Sequence, residues 1–138
     1  MAERAFARNR DLVMAKHIDV SISGVEKLPY PDNSFDKVMS VHAVYFWEDL
    51  ATAFGEIARA TKARGILVLI FRTDANAQAV QSFPSEIYNL RSRAEVERTL
   101  TRAGFSIEKS VGDNAADGTP AMLVARKRED LGGGGNAA

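Results

Sequence analysis

The chain has 138 residues and no cysteine, and its 18 Lys and Arg residues balance 18 Asp and Glu residues. This length fits one domain, and the proportions of hydrophobic residues (46%) and charged residues (26%) are typical of a soluble globular protein. The absence of cysteine excludes disulfides, thiolate metal sites and cysteine nucleophiles. The neutral total charge gives no indication of nucleic-acid binding, and two histidines are too few for a histidine-rich zinc site.

Targeting and membrane signals are not found in the sequence. The longest apolar run, Ile66 to Phe71, is too short to span a bilayer, and the stretch before Ile18 is charged throughout. We therefore expect a cytoplasmic protein that does not bind membranes. Residues 129–138 contain four consecutive glycines, which predicts a disordered tail after a single domain of residues 1–128.

The first part of the chain predicts a helix followed by a strand. Good helix formers fill residues 2–16, and their apolar members recur near one stripe. Residues Ile18 to Ser23 then alternate apolar and polar, which is typical of a half-buried strand. Gly24 follows, and we expect the strand to leave the sheet there as a loop.

The stretch from Leu28 to Val41 predicts a turn and a strand. Two prolines and the run Asp32-Asn33-Ser34 are typical of a turn, because proline fixes φ and short polar side chains bond the backbone. Phe35 to Val41 then predicts a strand buried on both faces.

The next elements are an amphipathic helix and a central strand. Trp47, Glu48 and Asp49 mark the predicted helix start, with the two acids against the N-terminal end of the helix dipole. The helix is predicted to end with Lys62 and Arg64 before Gly65 as its C′ residue. The continuous apolar run from Ile66 to Phe71 is typical of a parallel strand covered on both faces.

The last third of the chain predicts a loop, a helix and a strand pair. Residues 72–91 have no strong period, which indicates an active-site lid or a short extra helix. Ser92 to Glu95 matches a capping box, and the helix that it opens ends at Gly104. Strands at Phe105–Val111 and Ala121–Ala125 should pair antiparallel across one loop. The alternation of helices and strands predicts an α/β fold.

Three segments together resemble class I S-adenosylmethionine-dependent methyltransferases, in particular the small-molecule enzymes called type 11. They are Val25 to Asp36 with its Leu-Pro-Tyr and Ser-Phe-Asp motifs, Ser40 to Trp47, and the helix that leads into Gly65 to Val68. The resemblance extends to about Lys127. It implies a Rossmann-like sheet, mostly parallel, with a C-terminal antiparallel strand pair.

The resemblance also implies a ligand and the residues near it. The cofactor would be S-adenosylmethionine and the partner a small-molecule methyl acceptor. Gly24, Val25 and Glu26 would line the adenine pocket through backbone groups. Ser40, Val41 and His42 would bind the cofactor at the end of the next strand, where open α/β sheets place ligands. The resemblance assigns no catalytic residue.

Two features depart from the family pattern. The glycine-rich loop that holds the amino-acid end of the cofactor has no counterpart, because Gly24 is the only glycine before Gly55. The acidic residue that holds the ribose is also missing. The resemblance therefore implies a truncated fold that lacks two strands and one helix. Gly24 itself stands where the family often carries an aspartate that bonds adenine.

The candidate residues also have structural interpretations. Gly24 to Glu26 could be a plain loop with Glu26 in solvent. His42 could contact the cofactor or act as a general base, since histidine titrates near neutrality, or it could be a hydrogen-bonded structural residue. Tyr45, Phe46 and Trp47 could form an aromatic wall for the acceptor or pack in the core.

Three functional hypotheses follow from these observations. The chain is a small-molecule methyltransferase that is incomplete or inactive by itself, a non-catalytic remnant of one, or a binding module. The last hypothesis rests on strand edges that the missing strands would leave unpaired. We expect Asp19 to Ser23 either to pair with the Asp36 to Val41 strand or to recruit a second chain, for example as a homodimer.

Overall fold

The computed structural model describes residues 2–75, 89–114 and 118–129. The predicted lid or helix at residues 72–91 and the predicted tail therefore fall largely outside the described residues. The helices are α1 (Ala2–Arg8), α2 (Arg10–Met14), α3 (Leu50–Ala60) and α4 (Arg93–Arg102), and a 3-10 turn spans Val44–Phe46. The strands are β1 (Phe35–Val41), β2 (Thr61–Phe71), β3 (Phe105–Asn114) and β4 (Thr119–Lys127). No helix in these ranges is long and apolar enough to cross a bilayer.

The strands form one sheet in the order β1-β2-β4-β3. β1 pairs with β2 in parallel, whereas β4 pairs antiparallel with both β2 and β3. The α/β class and the antiparallel strand pair are thus confirmed. Among the described strands the parallel part of the sheet is the β1–β2 pair, and its carboxyl edge is where a ligand is expected.

One face of the sheet carries the core. Alternate residues of β2 and β4 are fully buried there, and α3 and α4 contribute Phe54, Ile57, Val96 and Leu100 against them. Because side chains alternate across a strand, each central strand gives every second residue to this core. The buried strand residues are Leu67, Leu69, Phe71, Ala121, Leu123 and Ala125.

Helix α3 begins as the sequence predicts but ends earlier. Asp49 is its N-cap, and its carboxylate accepts a hydrogen bond from the Thr52 backbone N–H at 3.1 Å. The helix ends at Ala60, so the prediction that it continues to Gly65 is wrong. Thr61 is already extended, and its hydroxyl donates to the Ile57 carbonyl at 2.6 Å, which closes the last turn without a glycine.

Gly65 has a packing role instead of a capping one. A Cβ at this position would lie 2.6 Å from the Thr61 Cγ2 and 2.8 Å from the Lys62 carbonyl oxygen. It would also lie 3.0 Å from the Asp36 carbonyl oxygen on the neighbouring strand. The glycine therefore permits the irregular start of β2 to approach β1 closely.

The N-terminal helix is shorter than predicted. In place of one helix over residues 2–16, α1 and α2 are separated at Asn9, whose side-chain amide donates to the Ala5 carbonyl at 2.9 Å. Neither helix contains a buried residue. Short helices gain most of their stability from packing, so good helix formers alone do not extend them.

The strand predicted at Ile18 to Ser23 is wrong for the described structure. These residues form no ladder, and β1 pairs only with β2 among the described strands. Ser21 lies within hydrogen-bonding distance of the Tyr30 hydroxyl, 3.0 Å away, and Ile22 is 85% exposed. An alternating pattern forms a strand only when a neighbouring strand is available to pair with it.

The C-terminal elements follow the sequence closely. The Ser92 hydroxyl caps α4 by accepting from the Glu95 N–H at 3.1 Å. Gly104 follows the helix with a φ of 111°, as its place after the C-cap requires. The predicted strands pair antiparallel as β3 and β4, which are longer than predicted at both ends of their shared loop.

Candidate functional site

The carboxyl ends of β1 and β2 form the first half of the candidate site. Val41 lies opposite Ile70, and the His42 backbone N–H donates to the Ile70 carbonyl at 2.8 Å. His42 then has a φ of 53°, a left-handed conformation that is uncommon for a residue other than glycine. This conformation ends the strand and turns the chain outward, so that His42 is exposed at the sheet edge.

A buried tyrosine connects the two strand ends. The Tyr45 hydroxyl lies 2.9 Å from His42 Nδ1, and it accepts a hydrogen bond from the backbone N–H of Arg72, directly after β2. Arg72 in turn donates through its guanidinium to the Gly118 carbonyl at 3.0 Å. His42, Tyr45 and Arg72 therefore form one hydrogen-bonded unit at the carboxyl edge.

The position of Tyr45 determines which nitrogen of His42 faces a ligand. Burial raises the pKa of the Tyr45 hydroxyl above its usual value, so it stays protonated at neutral pH. Because the Arg72 N–H donates to this oxygen, the hydroxyl hydrogen is available for Nδ1 of His42. Since Nδ1 of His42 is engaged by Tyr45, Nε2 is the ring nitrogen that would meet a ligand.

Two residues near the start of α4 hold the turn that carries Tyr45. The Arg91 guanidinium donates to the carbonyls of Val44 at 3.2 Å and Trp47 at 2.7 Å. The Asn89 N–H donates to the Tyr45 carbonyl at 2.7 Å. Sequence reasoning missed Arg91, because nothing in its local pattern distinguishes it from a solvated arginine before a helix.

The loop after Gly24 forms the second half of the candidate site, and α3 anchors it. The Leu28 N–H donates to Glu56 Oε2 at 2.6 Å, and Arg59 donates to the Leu28 carbonyl at 3.2 Å. Arg59 also pairs with Glu56 at 2.7 Å and with Asp32 at 2.8 Å. The Arg59 guanidinium, together with the Leu28 N–H, lowers the pKa of Glu56 to about 2.

The three loop residues predicted to meet adenine differ in their surroundings. Gly24 and Glu26 are exposed, whereas Val25 is partly buried against the core. Apart from its chain neighbours, no heavy atom of the described residues lies within 4 Å of where a Cβ on Gly24 would stand. The open backbone at Gly24 fits the approach of a flat ring, while the exposed Glu26 also fits the plain-loop interpretation.

The two predicted groups are held by different parts of the molecule. Among the described residues, no hydrogen bond joins residues 24–26 to residues 40–42. The first group depends on α3, and the second depends on the β1–β2 edge. The Ser40 hydroxyl oxygen is buried without a hydrogen-bond partner in the described part of the chain. The roles of these six residues toward a cofactor stay predictions.

The aromatic residues Tyr45, Phe46 and Trp47 could pack in the core or form a wall of the site, and the three differ in their surroundings. Tyr45 is buried in the core yet presents its hydroxyl to His42. Trp47 packs edge to face on Phe54 at 6.0 Å between ring centroids, as a core residue does. Phe46 is 53% exposed. In residues 2–75, 89–114 and 118–129, no group of His, Asp and Glu side chains is arranged to hold a metal ion.

Comparison with known families identifies the family to which the chain belongs. A family model described as a methyltransferase domain matches residues 1–69, which is half of the sequence. The chain belongs to the methyltransferase-domain family. The matched range contains both candidate groups, the Gly24 loop and the end of β1, as well as α3 and nearly all of β2. A search of curated proteins found no match.

Solved structures share the fold of this family member. A geranyl diphosphate methyltransferase in complex with S-adenosylmethionine superposes with a TM-score of 0.76 at 17% identity, over 92% of this chain and 64% of that one. A putative sarcosine dimethylglycine methyltransferase from Galdieria sulphuraria gives 0.73 at 15% identity, over 92% and 66%. The [4+2]-cyclase SpnF gives 0.74 at 20% identity, over 91% and 61%.

These likenesses establish the fold. At identities of 15 to 20% the similarity does not identify a substrate for this chain. One of the three proteins is named as a cyclase and not as a methyltransferase. The chain spans between 61% and 66% of the length of these structures. The family member described here is therefore comparable with part of each of them.

Proposed function

We propose that this chain takes part in methyl transfer from S-adenosylmethionine to a small molecule. In this proposal it supplies the adenine side and one wall of the cofactor cleft. Membership of the methyltransferase-domain family supports the proposal, and so does a structure of the same fold that was crystallised with S-adenosylmethionine. The observation that carries it is the hydrogen-bonded unit at the carboxyl edge of the parallel strand pair, where ligands of open α/β sheets bind.

The adenine side is assigned to the loop of Gly24, Val25 and Glu26. Its backbone is open at Gly24, and α3 fixes the chain directly after it through Glu56 and Arg59. A loop that is held in place before binding loses less conformational freedom when a ligand arrives. The loop would therefore contribute a fitting surface and backbone hydrogen-bonding groups to adenine binding, and no charged contact.

The wall of the cleft is assigned to Ser40, Val41 and His42. S-adenosylmethionine carries an already activated methyl group, so the protein mainly has to position the donor and acceptor in line. His42 is suited to positioning because Tyr45 fixes its ring through Nδ1. Its Nε2 would then form the hydrogen bond to the bound molecule.

The proposed site is incomplete in this chain. Gly24 is the only glycine before Gly55, so the given sequence has no glycine-rich loop for the amino-acid end of the cofactor, and the family resemblance assigns none of its acids to the ribose hydroxyls. Backbone N–H groups and an acid at those places would contribute much of the affinity. We therefore expect weak cofactor binding and no turnover by the chain alone.

A non-catalytic binding module is the alternative function. The observation that favours it is the same incomplete site. In that case the carboxyl edge of β1 and β2 would be a structural remnant. Cofactor binding separates the two functions.

Calorimetric titration tests the proposal. With about 0.1 mM protein, S-adenosylmethionine and S-adenosylhomocysteine should bind with dissociation constants of about 0.1 to 1 mM. His42→Ala should weaken binding at least about fivefold, the loss expected of roughly one hydrogen bond. His17→Ala is the matched control, because His17 is also an exposed histidine but lies outside the site. No heat with either ligand would support the binding module instead.

A further inference from the structure

Arg72 directly follows β2 at the carboxyl edge of the parallel strand pair, and β2 is an interior strand of the sheet. It lies between β1 and β4, and it forms a ladder with each of them. The end of β2 is therefore fixed by a neighbouring strand on both sides. Ligands of open α/β sheets bind at this edge, so Arg72 stands where a bound molecule is expected.

The Arg72 guanidinium is partly buried but uses few of its hydrogen-bond donors. An arginine side chain has five N–H donors, and here Nη1 donates to the Gly118 carbonyl at 3.0 Å. In residues 2–75, 89–114 and 118–129, Nε and Nη2 of Arg72 have no acceptor, and no carboxylate forms an ion pair with the side chain. Buried charges in proteins are normally paired, so this guanidinium is suited to pairing with a charged group of a ligand.

Two other arginines near this edge are already engaged by the protein. Arg91 donates to three backbone carbonyls of the turn between β1 and α3 and lies 3.7 Å from the Glu95 carboxylate. Arg93 donates to two groups of β3 and lies 3.7 Å from the Asp113 carboxylate. The side chains of both are therefore committed to holding the fold, whereas most of the donors of Arg72 remain for a ligand.

Three contacts hold the chain at Arg72 in place. Its backbone N–H donates to the Tyr45 hydroxyl. Thr73 is fully buried, and its hydroxyl donates to Asp113 Oδ1 at 2.6 Å. The Asp74 N–H donates at 3.0 Å to a backbone carbonyl just before α4. A group whose backbone is fixed before binding loses less conformational freedom when a ligand arrives, so Arg72 is positioned in advance.

We propose that the Arg72 guanidinium binds an anionic oxygen group of the methyl acceptor, a carboxylate or a phosphate. Arginine binds both groups through two parallel N–H···O bonds, and Nε and Nη2 are the adjacent donors that such a contact needs. This inference rests on the proposed function, because it names the chemical class of the acceptor at that same site. The acceptor is then a small anionic molecule.

The direction of the Arg72 side chain places this anion site away from the residues assigned to the cofactor. The guanidinium reaches Gly118, directly before β4, and β4 lies on the side of β2 away from β1. Ser40 to His42, which are assigned to the cofactor, lie on β1 or directly after it. The cofactor and the anionic group would therefore occupy neighbouring places along the edge and bind at the same time.

NMR titration with small anions tests the site. The Nε–Hε signal of Arg72 and the amide signal of Gly118 are followed while acetate or inorganic phosphate replaces chloride at constant ionic strength. Both signals should shift in a saturable way, with a dissociation constant of about 1 to 20 mM for at least one anion. Tighter binding of acetate assigns a carboxylate, and tighter binding of phosphate assigns a phosphate group. No saturable shift with either anion would overturn the inference.

Three variants test whether Arg72 is the binding group. Arg72→Gln should weaken anion binding at least about tenfold, because the charge is lost. Arg72→Lys keeps the charge but lacks the paired donors, and it should weaken binding at least about threefold. Arg126→Gln is the matched control, since Arg126 already pairs with Glu108 at 2.7 Å, and it should bind like the wild type. Equal binding by Arg72→Gln and the control would contradict the proposal. The Nε–Hε signal of the wild type reports the contact directly, so the test does not depend on the variants alone.

A final titration separates this inference from cofactor binding. Acetate is added in the presence of about 5 mM S-adenosylhomocysteine, well above its expected dissociation constant. S-adenosylhomocysteine also carries a carboxylate, so it would displace acetate if Arg72 held the cofactor itself. Unchanged acetate binding supports the acceptor site, and displacement overturns it. Calorimetry without heat from S-adenosylhomocysteine would contradict the proposed function, whereas cofactor binding without an acetate shift at Arg72 would contradict this inference alone.

Discussion

The N-terminal stretch of residues 2–24 and the sheet body of residues 35–127 use their apolar side chains differently. In the body, each helix and each central strand buries a face in one core, for example Phe54 of α3 and Leu69 of β2. In the N-terminal stretch no helical residue is buried, and Phe6 is 41% exposed. Both regions contain good helix formers, so propensity does not explain the difference. Packing against a neighbouring element does.

The largest expected effect contrasts one phenylalanine from each region. Phe54→Ala would leave a cavity where a fully buried ring contacts Trp47, and we expect a loss of about 3–5 kcal/mol in the free energy of unfolding. Phe6→Ala should change it by less than about 0.5 kcal/mol. Urea denaturation of the two variants measures both. Similar losses would mean that the N-terminal stretch shares the core.

A pair of glycines sharpens the comparison. Gly65→Ala places a Cβ within 2.8 Å of the Lys62 carbonyl oxygen and closer still to Thr61, so we expect a loss of about 1–3 kcal/mol in unfolding free energy. The Cβ of Gly24→Ala meets no atom of the described residues within 4 Å apart from its chain neighbours, so this change should affect stability little. The same denaturation measurement applies. A neutral Gly65→Ala would show that the start of β2 adjusts without cost.

The hydroxyl of Tyr45 contributes a smaller amount. Tyr45→Phe leaves the Arg72 N–H without its acceptor at a partly buried place and frees His42 Nδ1, and we expect a loss of about 1.5 kcal/mol. Tyr30→Phe is the matched control, because its hydroxyl bond to Ser21 is exposed. Thermal unfolding of the two variants measures the difference. An equal shift in both would remove the support for a special unit at the carboxyl edge.

The smallest expected effect concerns pH and the anchor of the Gly24 loop. Arg59 lowers the pKa of Glu56 from its usual 4.5 to about 2. A carboxylate with a lowered pKa stabilises the folded state above its unfolded pKa, and this contribution is lost as pH falls from 4.5 toward 2. Glu56→Gln should reduce the pH dependence of unfolding in that window. Glu3→Gln, in α1, should leave it unchanged.

Much of the fold follows from local sequence patterns. Phe35 to Val41 is a strand as predicted, and the Ser92 capping box opens α4. The predicted burial of this strand on both faces is wrong, because Met39 is 69% and Val41 is 48% exposed on a face that no described helix covers. The incorrect predictions occur where two local signals compete or where no described strand is available for pairing. Gly65 has the place of a helix stop, yet the Thr61 hydroxyl ends α3 earlier. Residues 18–23 alternate as a strand does, but no described strand pairs with them.

The candidate site is less predictable than the fold. The sequence indicated His42 as a site residue, but Tyr45 orients its ring. The chain around Tyr45 is held in turn by Arg91, which is distant from it in sequence. Such contacts join residues far apart in sequence, which no local pattern records.

The most direct test of the proposed function is a site-resolved titration. Amide resonances of the labelled chain are followed by NMR while S-adenosylhomocysteine is added. The account predicts that the largest shifts fall at Gly24 to Glu26 and at Val41 and His42, while the amides of β3 stay in place. Shifts confined to other regions, or no shifts at millimolar ligand, would contradict the assignment of this edge as half of a cofactor site.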